Sequence, residues 1–157
     1  NVVFRLSKKE IYNLEYEALR SRLDESDLSL QYVSEMVLEL RNSKLPDISE
    51  IGSAGSFFKN PIVSNQHLRQ LLQLYPNLIH YDTDDGNKKL AAGQLIDLAG
   101  WKGVRDGDAG VYPLQALVLV NYGKATGKEI LDLAKKIQQD ILEKFNINLE
   151  PEVNIIQ

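Results

Sequence analysis

Residues 51–56, Ile-Gly-Ser-Ala-Gly-Ser, have the residue types that most suggest a binding or catalytic site. Gly52 and Gly55 permit backbone conformations with positive φ and let a ligand approach main-chain amides closely. We predict a loop here, and Ser56 then stands where the loop meets a strand-like stretch, a junction that can hold a hydroxyl rigidly. The spacing alone favours a tight structural turn over a ligand site, and it matches neither common glycine-rich phosphate-binding pattern.

Two glutamates near the C-terminus, Glu150 and Glu152, are the other candidates for chemistry. They flank Pro151 in residues 149–156, an otherwise apolar segment that we predict to be a strand. Alternation along a strand places both side chains on one face, so one of them could be buried and functional. Without further information, a solvated edge strand is the favoured interpretation of this segment.

Composition argues against metal, nucleic-acid and membrane partners. The chain has no cysteine, which excludes a thiolate zinc site, and the acidic residues 82–85 lack the downstream glutamate of a calcium loop. His67 and His80 are isolated from any nucleophile pattern. The net charge of −4 disfavours a nucleic-acid-binding surface, and no apolar run is long enough to span a membrane.

Capping residues locate the helices that would position these side chains. Ser29, Ser64 and Thr126 each precede an amphipathic stretch, and Thr126 also forms a capping-box pattern with Glu129. The stretch after Thr126 carries the clearest helical stripe in the chain. Residues 90–99 are apolar almost all round, which is typical of a buried helix. A short helical piece is predicted within residues 16–23.

The strands alternate irregularly with these helices, without the spacing of repeated βαβ units. We predict strands at residues 2–6, 57–63, 78–81, 117–121 and 149–156, with another around Val111. The fold class is therefore predicted to be α+β, a mostly antiparallel sheet with helices packed on it, in a single domain of residues 1–157. A chain of 157 residues is long enough for one such core.

Five short segments, taken together and in this order, resemble a known enzyme family. Their sequences are S-K-L-P-D at 43–47, G-S-F-F-K-N-P at 55–61, K-L-A-A-G at 89–93, Q-A-L-V-L-V-N at 115–121 and L-E-P-E-V at 149–153. The second and the last are highly specific as a pair. The chain thus resembles the C-terminal, substrate-binding part of the UDP-N-acetylenolpyruvoylglucosamine reductases, and the segments span nearly all of it.

The resemblance implies a two-step flavoenzyme of peptidoglycan precursor synthesis in the cytoplasm. NADPH reduces bound FAD, and the flavin then delivers hydride to UDP-N-acetylglucosamine enolpyruvate, giving UDP-N-acetylmuramate. The cofactor-binding residues are not identified here, because an N-terminal FAD-binding domain, a further partner, is expected to hold the flavin. The chain begins at Asn1 within an apolar stretch and looks cut from something longer, so residues 1–157 alone are expected to be inactive.

The two catalytic roles fall on Ser56 and Glu152. Ser56 matches the family's serine that protonates the carbon next to the substrate carboxylate. Glu152 matches the residue that stabilises the intermediate at that carboxylate. To donate a hydrogen bond it should be protonated, so we expect burial and nearby negative charge to raise its pKa. The family shares this role with an arginine of the flavin-binding part, which has no counterpart among residues 1–157.

Substrate binding is implied for four further positions, whose ammonium, hydroxyl and amide groups suit a diphosphate, uridine and sugar hydroxyls. They are Tyr16, Lys44, Asn60 and Gln115. Three positions depart from the family pattern: Tyr112 replaces a frequent His, Gln94 a frequent Trp, and Asn154 an Arg of some members. The third departure weakens the positive charge expected beside Glu152.

Two other interpretations of the sequence stay open. The chain could be a non-catalytic UDP-sugar-binding module that has lost or never had a flavin partner. It could also be an unrelated α+β interaction domain, if all five segment matches are accidental. Upstream coding sequence with glycine-rich flavin-binding segments would favour the enzyme over the first of these. Binding of the UDP-sugar, expected of both the enzyme and the module, would separate them from the interaction domain.

Overall fold

The computed structural model describes residues 1–24 and 28–156. The chain forms two compact units, Asn1–Lys44 and Leu45–Gln157. Every described strand belongs to the second unit, whereas the regular structure described in the first is helical. The boundary assigned to a single domain of residues 1–157 stays a prediction.

The first unit contains helix α1 (Glu17–Arg20) and helix α2 (Leu30–Asn42). α2 begins where the sequence predicted, since the Ser29 hydroxyl accepts a hydrogen bond from the Tyr32 amide at 3.1 Å. The predicted strand at residues 2–6 is wrong. These residues form no strand, and their apolar side chains are exposed, 91% in the case of Val3. A strand needs a hydrogen-bonded neighbour, and no described residue of this unit supplies one.

The second unit is an α+β structure with two antiparallel sheets, as the sequence predicted. β1, β7, β6 and β5 form the larger sheet in that order, and β2, β4 and β3 form the smaller one. The elements are β1 (Gly52–Ser56), β2 (Ile62–Val63), α3 (Asn65–Leu74), β3 (His80–Asp82), β4 (Lys88–Leu90), α4 (Ala92–Leu98), β5 (Arg105–Asp106), β6 (Ala109–Val111), β7 (Val118–Asn121) and α5 (Gly127–Phe145).

Helix α5 supplies much of the core, because one of its faces is buried and contacts β6, β7 and α4. Its predicted capping box is confirmed: the Thr126 hydroxyl accepts from the Glu129 amide at 3.3 Å, and the Glu129 carboxylate accepts from the Thr126 amide at 2.7 Å. The Ser64 cap of α3 is likewise confirmed. The buried helix predicted for residues 90–99 is present but shorter, since Leu90 ends β4.

One loop prediction and two strand predictions in this unit differ from the structure. The glycine-rich residues 51–56 were predicted to be a loop, yet Gly52–Ser56 is a strand because β7 supplies the ladder hydrogen bonds. Within residues 57–63 only Ile62–Val63 is a strand: Phe57 and Phe58 are both buried, which a strand with one buried face does not allow. The predicted final strand at 149–156 reduces to one bridge, between Phe58 and Pro151.

Candidate active site

A β-bulge in β1 determines how Ser56 is presented. Ser53 pairs with Val120 and Ser56 with Val118, so the bulged strand advances three residues while its partner advances two. Gly55 has φ +81°, a conformation that other residues rarely adopt, and its amide donates to the Ser53 hydroxyl at 3.1 Å. Bulges of this kind bend a strand and redirect its side chains. Ser56 is exposed as a result, directly before the buried Phe57.

The C-terminal segment brings Glu152 to the residues that follow Ser56. The Glu152 amide donates to the Phe57 carbonyl oxygen at 2.8 Å, and the Lys59 amide donates to the Glu150 carbonyl oxygen at 2.9 Å. The side chain of Phe58, between these two bonds, is wholly buried. The two residues predicted to be catalytic, Ser56 and Glu152, therefore lie on adjacent backbone segments.

The side chain of Glu152 is exposed. The solvated position that spacing alone favoured is therefore observed, and the burial implied by the resemblance is not, because the segment forms a single bridge instead of entering a sheet. The carboxylate of Glu150, on the same predicted face, forms an ion pair with the Lys59 ammonium at 3.3 Å. Those side chains are 74% and 58% exposed, so the ion pair contributes about 0–1 kcal/mol to stability.

Asn60 links the Ser56 region to helix α4. Its side-chain oxygen accepts a hydrogen bond from the Ala92 amide at 2.9 Å and so caps α4, whose own N-cap residue, Ala91, supplies no side-chain bond. The side-chain oxygen of Asn60 is thereby engaged, and the side-chain NH₂ group is the donor that a ligand could use. Asn60 also lines an open cavity of about 530 Å³, together with Lys59 and His67.

Gln115 lies in the turn before β7, and it also reaches helix α4. Its amide donates to the Tyr112 carbonyl oxygen at 3.3 Å, and its carbonyl oxygen accepts from the Val118 amide at 3.0 Å. Its side-chain oxygen accepts a long bond of 3.4 Å from the Leu117 amide and lies over Gly93. Because the Phe57 amide donates to the Leu117 oxygen at 2.9 Å, this turn is tied to the Ser56 strand.

Four of the six predicted residues therefore belong to one hydrogen-bonded region of the second unit. The remaining two belong to the first unit and contact each other. The Lys44 ammonium donates to the Tyr16 hydroxyl at 2.9 Å and lies 5.4 Å from the centre of the Tyr16 ring. Tyr16 is 58% exposed, so this contact lies at the surface.

The sequence interpretation missed Gly93, which lies against Gln115. The available signal was a glycine inside a predicted helix, since such a residue usually has a packing or functional reason. Of the departures from the family pattern, Gln94 makes structural bonds: its side chain accepts from the Ile79 amide at 2.6 Å and donates to the Asn77 oxygen at 2.9 Å. Tyr112 is half-buried beside Gln115.

The described part of the chain offers neither a clustered metal site nor a membrane-spanning helix. No group of three or more His, Cys, Asp or Glu side chains among residues 1–24 and 28–156 is arranged to hold a metal ion. No helix in the same residues has the length and apolar character needed to cross a membrane.

Comparison with known proteins gives the family. Residues 47–156 match the family model described as UDP-N-acetylenolpyruvoylglucosamine reductase, C-terminal domain. The reductase of that name from Pseudomonas savastanoi pv. phaseolicola is 50% identical over 98% of this chain and 46% of its own length. The reductase from Chromobacterium violaceum is 48% identical over 99% of this chain, again 46% of its own length.

A solved structure is also similar, that of the UDP-N-acetylenolpyruvylglucosamine reductase from Thermus caldophilus. It is 27% identical, with a TM-score of 0.48, over 80% of this chain and 33% of that one. The chain thus spans about half the length of the curated relatives it matches. On the match of residues 47–156, this chain belongs to the family of UDP-N-acetylenolpyruvoylglucosamine reductase C-terminal domains.

Proposed function

We propose that this chain is the substrate-binding part of an FAD-dependent, NADPH-using reductase that converts UDP-N-acetylglucosamine enolpyruvate to UDP-N-acetylmuramate. The reaction would serve peptidoglycan precursor synthesis in the cytoplasm. Membership of the family supports the proposal. The structural observation that carries it is the pair of main-chain bonds that holds the Glu152 segment against residues 57–59, directly after Ser56.

Ser56 would complete the reaction by protonating the substrate. Addition of hydride to the β-carbon of the enolpyruvyl group leaves negative charge at the carbon next to the carboxylate. A serine hydroxyl is a weak acid, but this enolate-like anion is a strong base, so transfer of the hydroxyl proton is favourable. The bulge at Gly55 supports this role, because it presents Ser56 outward from a paired and therefore rigid strand.

Glu152 would act on the same anion from the neighbouring segment. A protonated carboxyl group beside the substrate carboxylate donates a hydrogen bond to the developing charge, which stabilises it most where water is excluded. Glu152 is exposed in this chain. Exclusion of water would therefore have to come from the bound substrate and from the remainder of a longer protein.

The flavin fits this arrangement as a group held by another segment. Ser56 and Glu152 are both exposed on adjacent backbone segments, so a ring bound elsewhere could approach them. When bound, FAD supplies the hydride, which it takes in turn from NADPH. We assign this chain the substrate and the proton, and no residue of it to the cofactor.

Four side chains would bind the nucleotide-sugar. The Lys44 ammonium, with the Tyr16 hydroxyl beside it, suits a diphosphate, whose oxygens would replace that hydroxyl as partners. The Asn60 NH₂ group and the Gln115 amide suit uridine or sugar hydroxyls. Both amides lie beside helix α4, which supports this assignment: Asn60 is bonded to the Ala92 amide, and Gln115 packs against Gly93.

The decisive experiment supplies the full-length protein with NADPH and UDP-N-acetylglucosamine enolpyruvate. We expect substrate-dependent NADPH oxidation and formation of UDP-N-acetylmuramate, detected by mass spectrometry. Binding of the UDP-sugar without turnover would reject the enzyme in favour of a non-catalytic module. Absence of both binding and turnover would reject the proposal altogether.

A further inference from the structure

Gly93 is an unexpected residue for its position. It lies in the first turn of helix α4 (Ala92–Leu98), where glycine is a poor helix former and alanine a better one. Its φ is not positive, in contrast to Gly55, Gly86, Gly100, Gly103 and Gly107, so the backbone conformation does not call for glycine. The reason for a glycine here has to come from its surroundings.

Those surroundings are the side chain of Gln115. A Cβ at position 93 would lie 3.1 Å from the Gln115 side-chain oxygen, closer than ordinary van der Waals contact, and 3.5 Å from the Leu117 Cβ. The helix itself is firmly fixed, since Leu95 and Ile96 are wholly buried and the Ala92 amide is bonded to Asn60. An added methyl group would therefore move the amide of Gln115 and leave the helix in place.

The Gln115 amide is poorly held by anything else that the structure describes around it. Its side-chain oxygen accepts one bond, from the Leu117 amide, and that bond is long at 3.4 Å. Packing against Gly93 is accordingly what limits where the amide can lie. Crowding by a methyl group at position 93 would move this flexible side chain by a few tenths of an ångström, enough to weaken a hydrogen bond to a ligand.

We propose that Gly93 is a positioning residue for the UDP-sugar substrate: the absence of a side chain there lets the Gln115 amide occupy its binding position. This inference rests on the proposed function, because it assigns Gln115 a substrate contact. Gly93 itself acts through Gln115 and touches no reacting atom. A purely structural role would instead make alanine at this position alter folding and leave substrate affinity unchanged.

The test uses the full-length protein and four variants: Gly93→Ala, Gln115→Ala, the double variant, and Gly127→Ala as a matched control. Gly127 is also in the first turn of a helix, but a Cβ there would meet nothing within 4 Å. For each variant we would measure KM and kcat for UDP-N-acetylglucosamine enolpyruvate, the Kd of the same compound for the oxidised protein without NADPH, and Tm.

We expect Gly93→Ala to raise KM and Kd about two- to tenfold, the loss that a weakened neutral hydrogen bond produces, with kcat nearly unchanged and Tm equal or higher. In the Gln115→Ala background the same substitution should have no further effect, and Gly127→Ala should resemble the wild type. Unchanged KM and Kd in Gly93→Ala, or effects that simply multiply in the double variant, would overturn the inference alone. A wild-type protein without turnover or binding would instead overturn the proposed function, and this inference with it.

Discussion

Phe58 should be the residue that secures the C-terminal segment beside Ser56. Its side chain is 0% exposed, and its backbone bridges to Pro151 between the two main-chain bonds that hold Glu150 and Glu152. Truncation to alanine removes a fully buried aromatic ring and leaves a cavity, which typically costs about 3–5 kcal/mol. The ring also contacts Phe57 edge to face, with 5.1 Å between the ring centres, so we expect a loss no smaller than the middle of that range.

Phe58→Ala should therefore lower the free energy of unfolding by about 4 kcal/mol, measured by urea denaturation with far-ultraviolet circular dichroism. In a chain of this size each kcal/mol corresponds to roughly 2–4 °C, so Tm should fall by roughly 8–16 °C. Phe4→Ala is the matched control: Phe4 is 77% exposed, and its truncation should change stability by less than about 0.5 kcal/mol.

Hydrogen exchange adds a local test of the same variant. The Glu152 amide donates to Phe57 and the Lys59 amide donates to Glu150, so both should be protected in the wild type and exchange faster in Phe58→Ala. If Phe58→Ala lowers the free energy of unfolding by less than about 1 kcal/mol, or if Phe4→Ala has an equal effect, Phe58 does not anchor this segment.

Three further predictions concern helix capping, acid stability and phosphate binding. Thr126→Ala should lower the free energy of unfolding by about 1 kcal/mol in urea denaturation, because it removes the oxygen that caps α5; an unchanged midpoint would contradict the capping role. The Lys124 amide donates a hydrogen bond to the Asp108 carboxylate and holds the pKa of that carboxyl below its usual value. The stability that the ionised carboxylate contributes is therefore complete above the unfolded pKa of about 3.9 and is lost as the pH falls through the folded pKa. Asp108→Asn should accordingly unfold more easily than the wild type at neutral pH and equally easily below the folded pKa in acid-titrated melts; a difference that persists there would contradict this origin. Lys44→Met in the full-length protein should raise KM for the UDP-sugar about ten- to a hundredfold, with Lys8→Met as an exposed control that changes nothing.

Helices were predictable from the sequence because their signals are local. Ser29, Ser64 and Thr126 each cap a helix through a bond to the amide three residues further along, so the signal and the structure lie within one turn. The antiparallel α+β class also followed from the irregular alternation of elements.

Strands were less predictable, because their hydrogen bonds depend on distant partners. Gly52–Ser56 is a strand only because Val118–Asn121 pairs with it, and the apolar residues 2–6 are not one because no described residue pairs with them. Local composition had favoured a loop for the first segment and a strand for the second. Propensity for strands reflects packing against neighbours more than the backbone itself.

The candidate site was partly predictable for the same reason. Resemblance selected Ser56 and Glu152, but their proximity depends on the bonds between Phe57 and Glu152, which no spacing rule reveals. The burial that the family role implied for Glu152 is not observed, because a single bridge replaces the expected strand. The proximity of Gly93 to Gln115 likewise appears only when the fold brings α4 against the turn before β7.

The central claim is that Ser56 supplies the proton in the proposed reaction, and stopped-flow measurement of both half-reactions tests it most directly. In full-length protein carrying Ser56→Ala, substrate-dependent reoxidation of the flavin should slow by about 10²–10⁴-fold, while flavin reduction by NADPH stays within about twofold of the wild type. Ser34→Ala, at an exposed position of α2, should leave both rates unchanged. Reoxidation of the Ser56→Ala variant at the wild-type rate would contradict the assignment.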